Sequence, residues 1–194
     1  GDPSVGERAA SRGQTLPPAF TTGYSAFRAG IDLHFDTREV APRPTAGVAV
    51  RAFGAAHGAF GGAEGLDGWF RWGCGLGGVA DVLGDDRILS LELETAFISA
   101  VDDAVVPFTE LIDIGAQGPM IGYLPGLIRG RSMIALTAAY EWPIWVFLDG
   151  RLFFSVGNAF GEHLERFGGE DLRMSFGVGV EPTLGEGGEV PFEV

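Results

Sequence analysis

Residues 24–36 read YSAFRAGIDLHFD and alternate with a period of two. The odd positions are Ser25, Phe27, Ala29, Ile31, Leu33 and Phe35; the even ones are Tyr24, Ala26, Arg28, Gly30, Asp32, His34 and Asp36. Every charge falls on one side. Successive side chains of a strand point to opposite faces, so the pattern predicts a β-strand with one apolar and one polar face. The rule recurs. Leu89, Leu91, Leu93 and Phe97 oppose Ser90, Glu92 and Glu94 over 87–99. Ile134, Leu136, Tyr140 and Trp142 oppose Ala135, Thr137 and Glu141 over 133–142. Leu152, Phe154 and Val156 oppose Arg151, Phe153 and Ser155 over 151–160, and Met174, Phe176 and Val178 oppose Arg173 and Ser175 over 171–181. Weaker copies occupy 46–57 and 68–82.

Composition narrows the class. A chain of 194 residues is one domain or part of a larger one. Its 32 glycines disfavour helix throughout. Lysine is absent, and a net charge of −13 argues against nucleic acid and anionic membrane surfaces as partners. The single cysteine, Cys74, excludes an internal disulfide and any multi-cysteine metal cluster. Residues 1–20 are small, polar and proline-punctuated, and read as loop or linker; residues 21–194 read as one β domain.

Two architectures produce long alternation: a half-buried soluble sheet and a membrane-spanning barrel. Three features favour the barrel. The segments run to ~10–13 residues, where an ordinary strand has ~5–6 and a tilted spanning strand ~9–11. The polar face mixes charges with small residues, as a crowded or watery interior requires. Aromatics gather near segment ends: Trp69, Phe70 and Trp72; Trp142, Trp145 and Phe147; Phe160. Such girdles mark the two interfaces of an outer-membrane barrel. Short links (37–45, 84–86, 143–149, 182–189) interleave with longer, acidic ones (58–67, 100–131, 161–170), as in an up-and-down meander with short periplasmic turns and long external loops. Seven segments are complete, and an eighth begins at Val190, so the expectation is a fragment of a closed barrel.

Residues 115–160 are more specific. Met120-Ile121-Gly122-Tyr123, Tyr140-Glu141-Trp142-Pro143-Ile144 and Phe153-Phe154-Ser155-Val156-Gly157 stand in that order. The stretch resembles the C-terminal barrel of the BamA/TamA family, also called the bacterial surface antigen family. In that family a long loop folds back into the lumen, and a strand close to Glu-Tyr-Arg-Trp-Pro-Ile and one with Phe-x-Asp-x-Gly follow. The resemblance implies an all-β, antiparallel up-and-down transmembrane β-barrel of sixteen strands, of which this chain holds about eight. It implies the bacterial outer membrane as location, outer-membrane lipid and client outer-membrane proteins as partners, and a role in protein insertion, assembly or translocation. It implies no enzyme, no cofactor and no metal. Carried over by position, the lumen-loop tip is Ile121, Gly122 and Tyr123, and the loop-docking strand offers Phe153, Ser155 and Gly157. Two departures stand out: Ile121 takes the place of the family's loop arginine and Ser155 that of its strand aspartate. Losing one partner strands a buried charge, whereas losing both can be neutral. The loop then docks through Tyr123 and Ile121, with Arg129 and Arg131 as candidates to replace the charge. The double departure keeps a second reading open, a passive outer-membrane pore or scaffold without assembly activity.

Other constellations are weaker. By alternation, Arg71, Glu92, Glu94, Arg151 and Arg173 share the polar face, an expected lumen charge network. Gly73-Cys-Gly75-Leu-Gly-Gly78 fits G-x-G-x-x-G formally but lacks a following helix. His34 beside Asp32 and Asp36 suggests a hydrolase only if a serine is supplied from elsewhere, and no G-x-S-x-G is present. Asp102, Asp103, Glu110 and Asp113 have no EF-hand spacing and read as a solvated acidic loop.

Overall fold

The computed structural model describes residues 8–9, 11–14, 16, 19–20, 23–38, 44–61, 66–102, 104–115 and 118–182. The chain is all-β. Seven long strands form one antiparallel sheet: β1 (Ser25–Asp36), β2 (Ala46–Phe60), β3 (Gly68–Asp81), β4 (Ile88–Ala100), β7 (Ser132–Trp145), β8 (Leu148–Phe160) and β9 (Arg173–Pro182). Each pairs with its neighbour in chain order, so the sheet is a meander. Two short strands, β5 (Ile112–Asp113) and β6 (Arg129–Gly130), form a separate hairpin inside the long 101–131 connection. Among the described residues, β1 and β9 each pair on one side only. The expected eighth segment at 190–194 and most of the 1–20 linker lie outside the described residues.

The register turns the sequence alternation into two continuous faces. Arg28, His57 and Trp69 lie in one row across the sheet, as do His34, Arg51, Gly75 and Glu94. Thr137, Ser155 and Ser175 continue the same face on β7, β8 and β9. The opposite face carries Ile31, Val50, Leu76, Leu91, Leu136, Phe154 and Val178, and none of its strand positions holds Asp, Glu, Lys, Arg or His.

The distribution of cover is the reverse of a soluble sheet. The apolar face is open: even on central strands Leu76 and Leu91 are 54% and 53% exposed. The polar face is the covered one, because the 101–131 connection folds across it. Ile112, Ile114, Met120 and Ile128 of that connection form a buried cluster with Trp69, Ala96, Ile98 and Met133 of the sheet. Asymmetric hairpin lengths make this possible. One end of the meander has the short turns at 82–87 and 146–147, and the other has the long connections at 101–131 and 161–172.

Glycine content has a packing reason as well as a conformational one. Phe53 lies over Gly73 of β3, Trp142 over Gly150 of β8 and Phe153 over Gly177 of β9, each ring occupying the space where a Cβ would stand. Each ring belongs to the residue directly opposite its glycine, so these are cross-strand aromatic–glycine pairs.

Two expectations need correction. Trp69 is not an interfacial aromatic: it is on the polar face, 1% exposed, stacked on His57 at 5.1 Å and edge-on to Tyr24 at 6.1 Å. Its parity with Arg71 dictates this. The 143–149 link is also shorter than expected. β7 runs through Pro143 to Trp145, and only residues 146–147 turn. Pro143 is tolerated because pairing with β4 ends at Ile88–Glu141, so no partner needs the missing N–H there.

Candidate functional site

The space between the folded-back connection and the polar face is the candidate site. It begins with β3. Two successive inward positions, Gly75 and Gly77, carry no side chain and leave a trough between Arg51 and Ala49 of β2 and Glu94 and Glu92 of β4, closed at one end by the Phe53 ring over Gly73. A cavity of about 330 Å³ fills the trough, lined among others by His34, Arg51, Arg71, Glu92, Glu94 and Asp113. A second, of about 240 Å³, lies beside it under the loop, lined by Glu92, Glu94, Gly118, Pro119, Ile121, Ala135, Thr137 and Arg151. The two share Glu92, Glu94, Gly118 and Pro119, so they are adjoining parts of one polar compartment.

The charges within it are not one network. Arg51 pairs with Asp32, its Nε donating at 3.0 Å. Arg38 donates to Asp36 through Nε at 2.9 Å and a terminal nitrogen at 2.6 Å. Arg151 reaches Glu181 at 3.0 Å and Glu141 at 3.7 Å, away from Glu92 and Glu94. Arg71, Glu92, Glu94 and Arg173 make no salt bridge among the described residues. The expected lumen charge network therefore resolves into local pairs. The sheet register explains this: Arg151 lies directly opposite Glu141, whereas Glu92 faces Thr137.

The loop is fastened at three places. At its start, Tyr24 Oη donates to Glu110 Oε1 at 2.7 Å and lies 2.9 Å from Thr109 Oγ1. Burial, with the hydrogen bond to Glu110, raises the Tyr24 hydroxyl above its ordinary value. In the middle, Asp113 ties the neck. It accepts from Gly115 N at 3.0 Å, from Gly126 N and from Arg129 Nε at 3.3 Å. At the tip, Tyr123 Oη donates to the Met174 carbonyl of β9 at 3.0 Å.

Asp113 makes the neck sensitive to acid. Burial raises its pKa, but the two backbone N–H groups and Arg129 outweigh burial and hold it below the usual aspartate value. A depressed folded-state pKa contributes stability that is full above the ordinary range near pH 4 and lost as pH falls through the lowered value. Limited proteolysis of the loop is expected to accelerate as pH drops below about 4, and Asp113→Asn is expected to be cleaved faster at neutral pH with that pH step abolished.

The carried-over residues fall as follows. Ile121 and Ser155 are near the same compartment, but neither plugs the other. Ser155 is fully buried and bonded to Thr137 Oγ1 at 3.0 Å. Gly157 is buried and Phe153 lies across Gly177. Gly122 turns with φ +99°. Ile121 remains 44% exposed, and the anchor of the tip is its neighbour Met120, at 0%. The expected docking through Ile121 is thus taken over by Met120 and Tyr123. Neither candidate replacement arginine enters the compartment's charge balance as a partner of Ser155: Arg129 binds Asp113, and Arg131 binds Glu162 at 3.1 Å. Ile114 and Met120 are not identifiable from spacing, since isolated apolar residues in an aperiodic loop carry no periodic signal; Trp69 is, through its parity with Arg71 on β3.

His34 Nε2 is 3.8 Å from Asp36, and Arg38 also holds that carboxylate. Among the described residues no group of His, Cys, Asp or Glu is arranged to hold a metal ion. No family model and no curated protein matches the chain.

Proposed function

We propose that the chain is part of a bacterial outer-membrane β-barrel, and that the protein inserts, assembles or translocates other outer-membrane proteins. One observation carries the membrane reading: a face seven strands wide with no charged side chain is open to its surroundings, while the charged face is covered. In water that arrangement exposes far more contiguous apolar surface than a monomeric soluble protein tolerates. In lipid it is the expected one, with apolar residues outward and polar residues inward. The strands, 10 to 15 residues long, are sufficient for a tilted span. An unpaired strand edge costs several kcal/mol per unsatisfied group in hydrocarbon, so β1 and β9 require further strands to close the barrel. The assembly role rests on the resemblance to the BamA/TamA family, whose members offer a strand edge to a client strand. The inward fold of 101–131 and its contact with the polar face support that reading.

The second reading, a passive pore or scaffold, is favoured by Ser155. Its hydroxyl is satisfied by Thr137, so the family's loop-to-strand ion pair has neither partner nor vacancy here. Reconstitution of the intact protein in vesicles, with an unfolded outer-membrane protein added, separates the two. Accelerated client folding is the result expected for assembly. Ion conductance without acceleration would replace it with the passive role.

A further inference from the structure

Two arginines of the polar face stand without a counter-charge. Arg28 and Arg71 make no salt bridge among the described residues, and Arg71 is half-buried, where an unpaired charge is costly. The register sets the two around one spot. Arg28, His57 and Trp69 form a row across β1, β2 and β3, and Gly30, Ala55 and Arg71 form the next row on the same face. The arginines thus occupy opposite corners of a block of six residues. Gly30 and Ala55 leave its remaining corner and centre without a long side chain. A cavity of about 230 Å³ opens at Gly30, with Arg28, Asp32 and Phe53 in its lining.

The block also holds donors that nothing accepts. Trp69 is 1% exposed, and its Nε1 has no hydrogen-bond partner among the described residues; His57 Nε2 is buried and equally unpartnered. A buried indole N–H ordinarily finds an acceptor. The nearby carboxylates are already engaged: Arg51 holds Asp32, and Glu110 accepts from Tyr24. Glu110 still acts through space on Arg71 and His57, and Asp32 on Arg28. Around the block, the guanidinium groups of Arg28, Arg51 and Arg71 therefore outnumber the carboxylates of Asp32 and Glu110.

We propose that this block binds a small water-soluble oxyanion of the phosphate class, clamped between Arg28 and Arg71, with the ring N–H groups of His57 and Trp69 as further donors. A guanidinium presents paired N–H donors that match two oxygens of such an anion. The site lies on the face opposite the apolar one, at the end of the sheet that carries the long connections, so its ligand arrives from water. The inference needs the covered polar face and does not depend on the assembly role.

The test is calorimetric titration of inorganic phosphate into the intact protein in a non-ionic detergent that carries no phosphate, with ionic strength held constant by chloride. Saturable binding at one site is expected. Arg28→Gln and Arg71→Gln are each expected to weaken it about ten-fold or more, the loss of a charge-assisted hydrogen bond. Arg173→Gln removes another arginine without a salt bridge among the described residues, on β9, and is expected to leave the affinity unchanged. Glu110→Gln keeps an acceptor for Tyr24 and removes the negative charge, and is expected to tighten binding about three-fold. That gain cannot arise from misfolding. Absence of saturable binding would overturn the site, as would equal weakening by Arg173→Gln or no tightening by Glu110→Gln. Displacement of the bound phosphate by phosphatidylglycerol would give the site to a lipid headgroup and overturn the water-soluble ligand.

Discussion

Leu93→Arg is expected to destabilise the membrane-folded protein by ~2–4 kcal/mol, the cost of an arginine on the lipid face near the bilayer midplane. Leu93 stands near the middle of β4 between Leu76 and Leu136, on the face without charges, and is exposed. In a water-soluble sheet the same substitution would replace an exposed leucine by a solvated cation, at a cost within ~0.5 kcal/mol. The two accounts therefore differ by an amount a denaturant titration of vesicle-folded protein resolves easily. Ala49→Arg is the control. Ala49 is on the opposite face, directly across from Asp36 on β1 and separated from Glu92 on β4 only by Gly77. An arginine there meets acidic neighbours and is expected to cost under ~1 kcal/mol.

Trp69→Ala is expected to cost ~3–5 kcal/mol, the range for deleting a fully buried tryptophan side chain. The indole is the floor on which the loop stands. It belongs to the cluster with Ile98, Ile112, Ile114 and Met120, and its faces and edges meet His57 and Tyr24. Removing it leaves a cavity under the base of the loop and unseats the ring whose hydroxyl holds Glu110. Loss of stability is accordingly expected together with protease cleavage within 101–131. Trp145→Ala, at the short-turn end and well exposed, is expected to leave the loop protected. Equal effects of the two substitutions would show that the loop does not depend on its seat.

The strands were legible because each carries its period-2 signal locally. The alternation read over 24–36 appears as β1 at Ser25–Asp36, and that over 87–99 as β4 at Ile88–Ala100. Parity alone assigned Arg71, Glu92, Glu94, Arg151 and Arg173 to one face, and the register agrees. It said nothing of which charges meet, since pairing depends on the stagger between strands. Trp69 reads with the girdle because it is clustered in sequence with Phe70 and Trp72, which belong to the other face. The 143–149 stretch reads as a link because the end of pairing with β4 at Glu141, which lets Pro143 stay in β7, is a tertiary fact. The interior of 101–131 was the least legible part. Ile112, Ile114, Met120 and Ile128 have no common period, and the carboxylates of Glu110 and Asp113 read as solvent-facing, whereas Tyr24 and the Gly115 and Gly126 amides bind them.

The central claim is that the uncharged face meets lipid. It is tested most directly by single spin labels placed along 88–100 of the intact protein in bilayers, comparing collision with oxygen, which enriches in lipid, and with a water-soluble nickel chelate. Labels at Leu89, Leu91 and Leu93 are expected to favour oxygen, and those at Ser90, Glu92 and Glu94 the chelate or neither, with a period of two. A strand along which both sets collide equally with the chelate would contradict the account, because the apolar face would then lie in water.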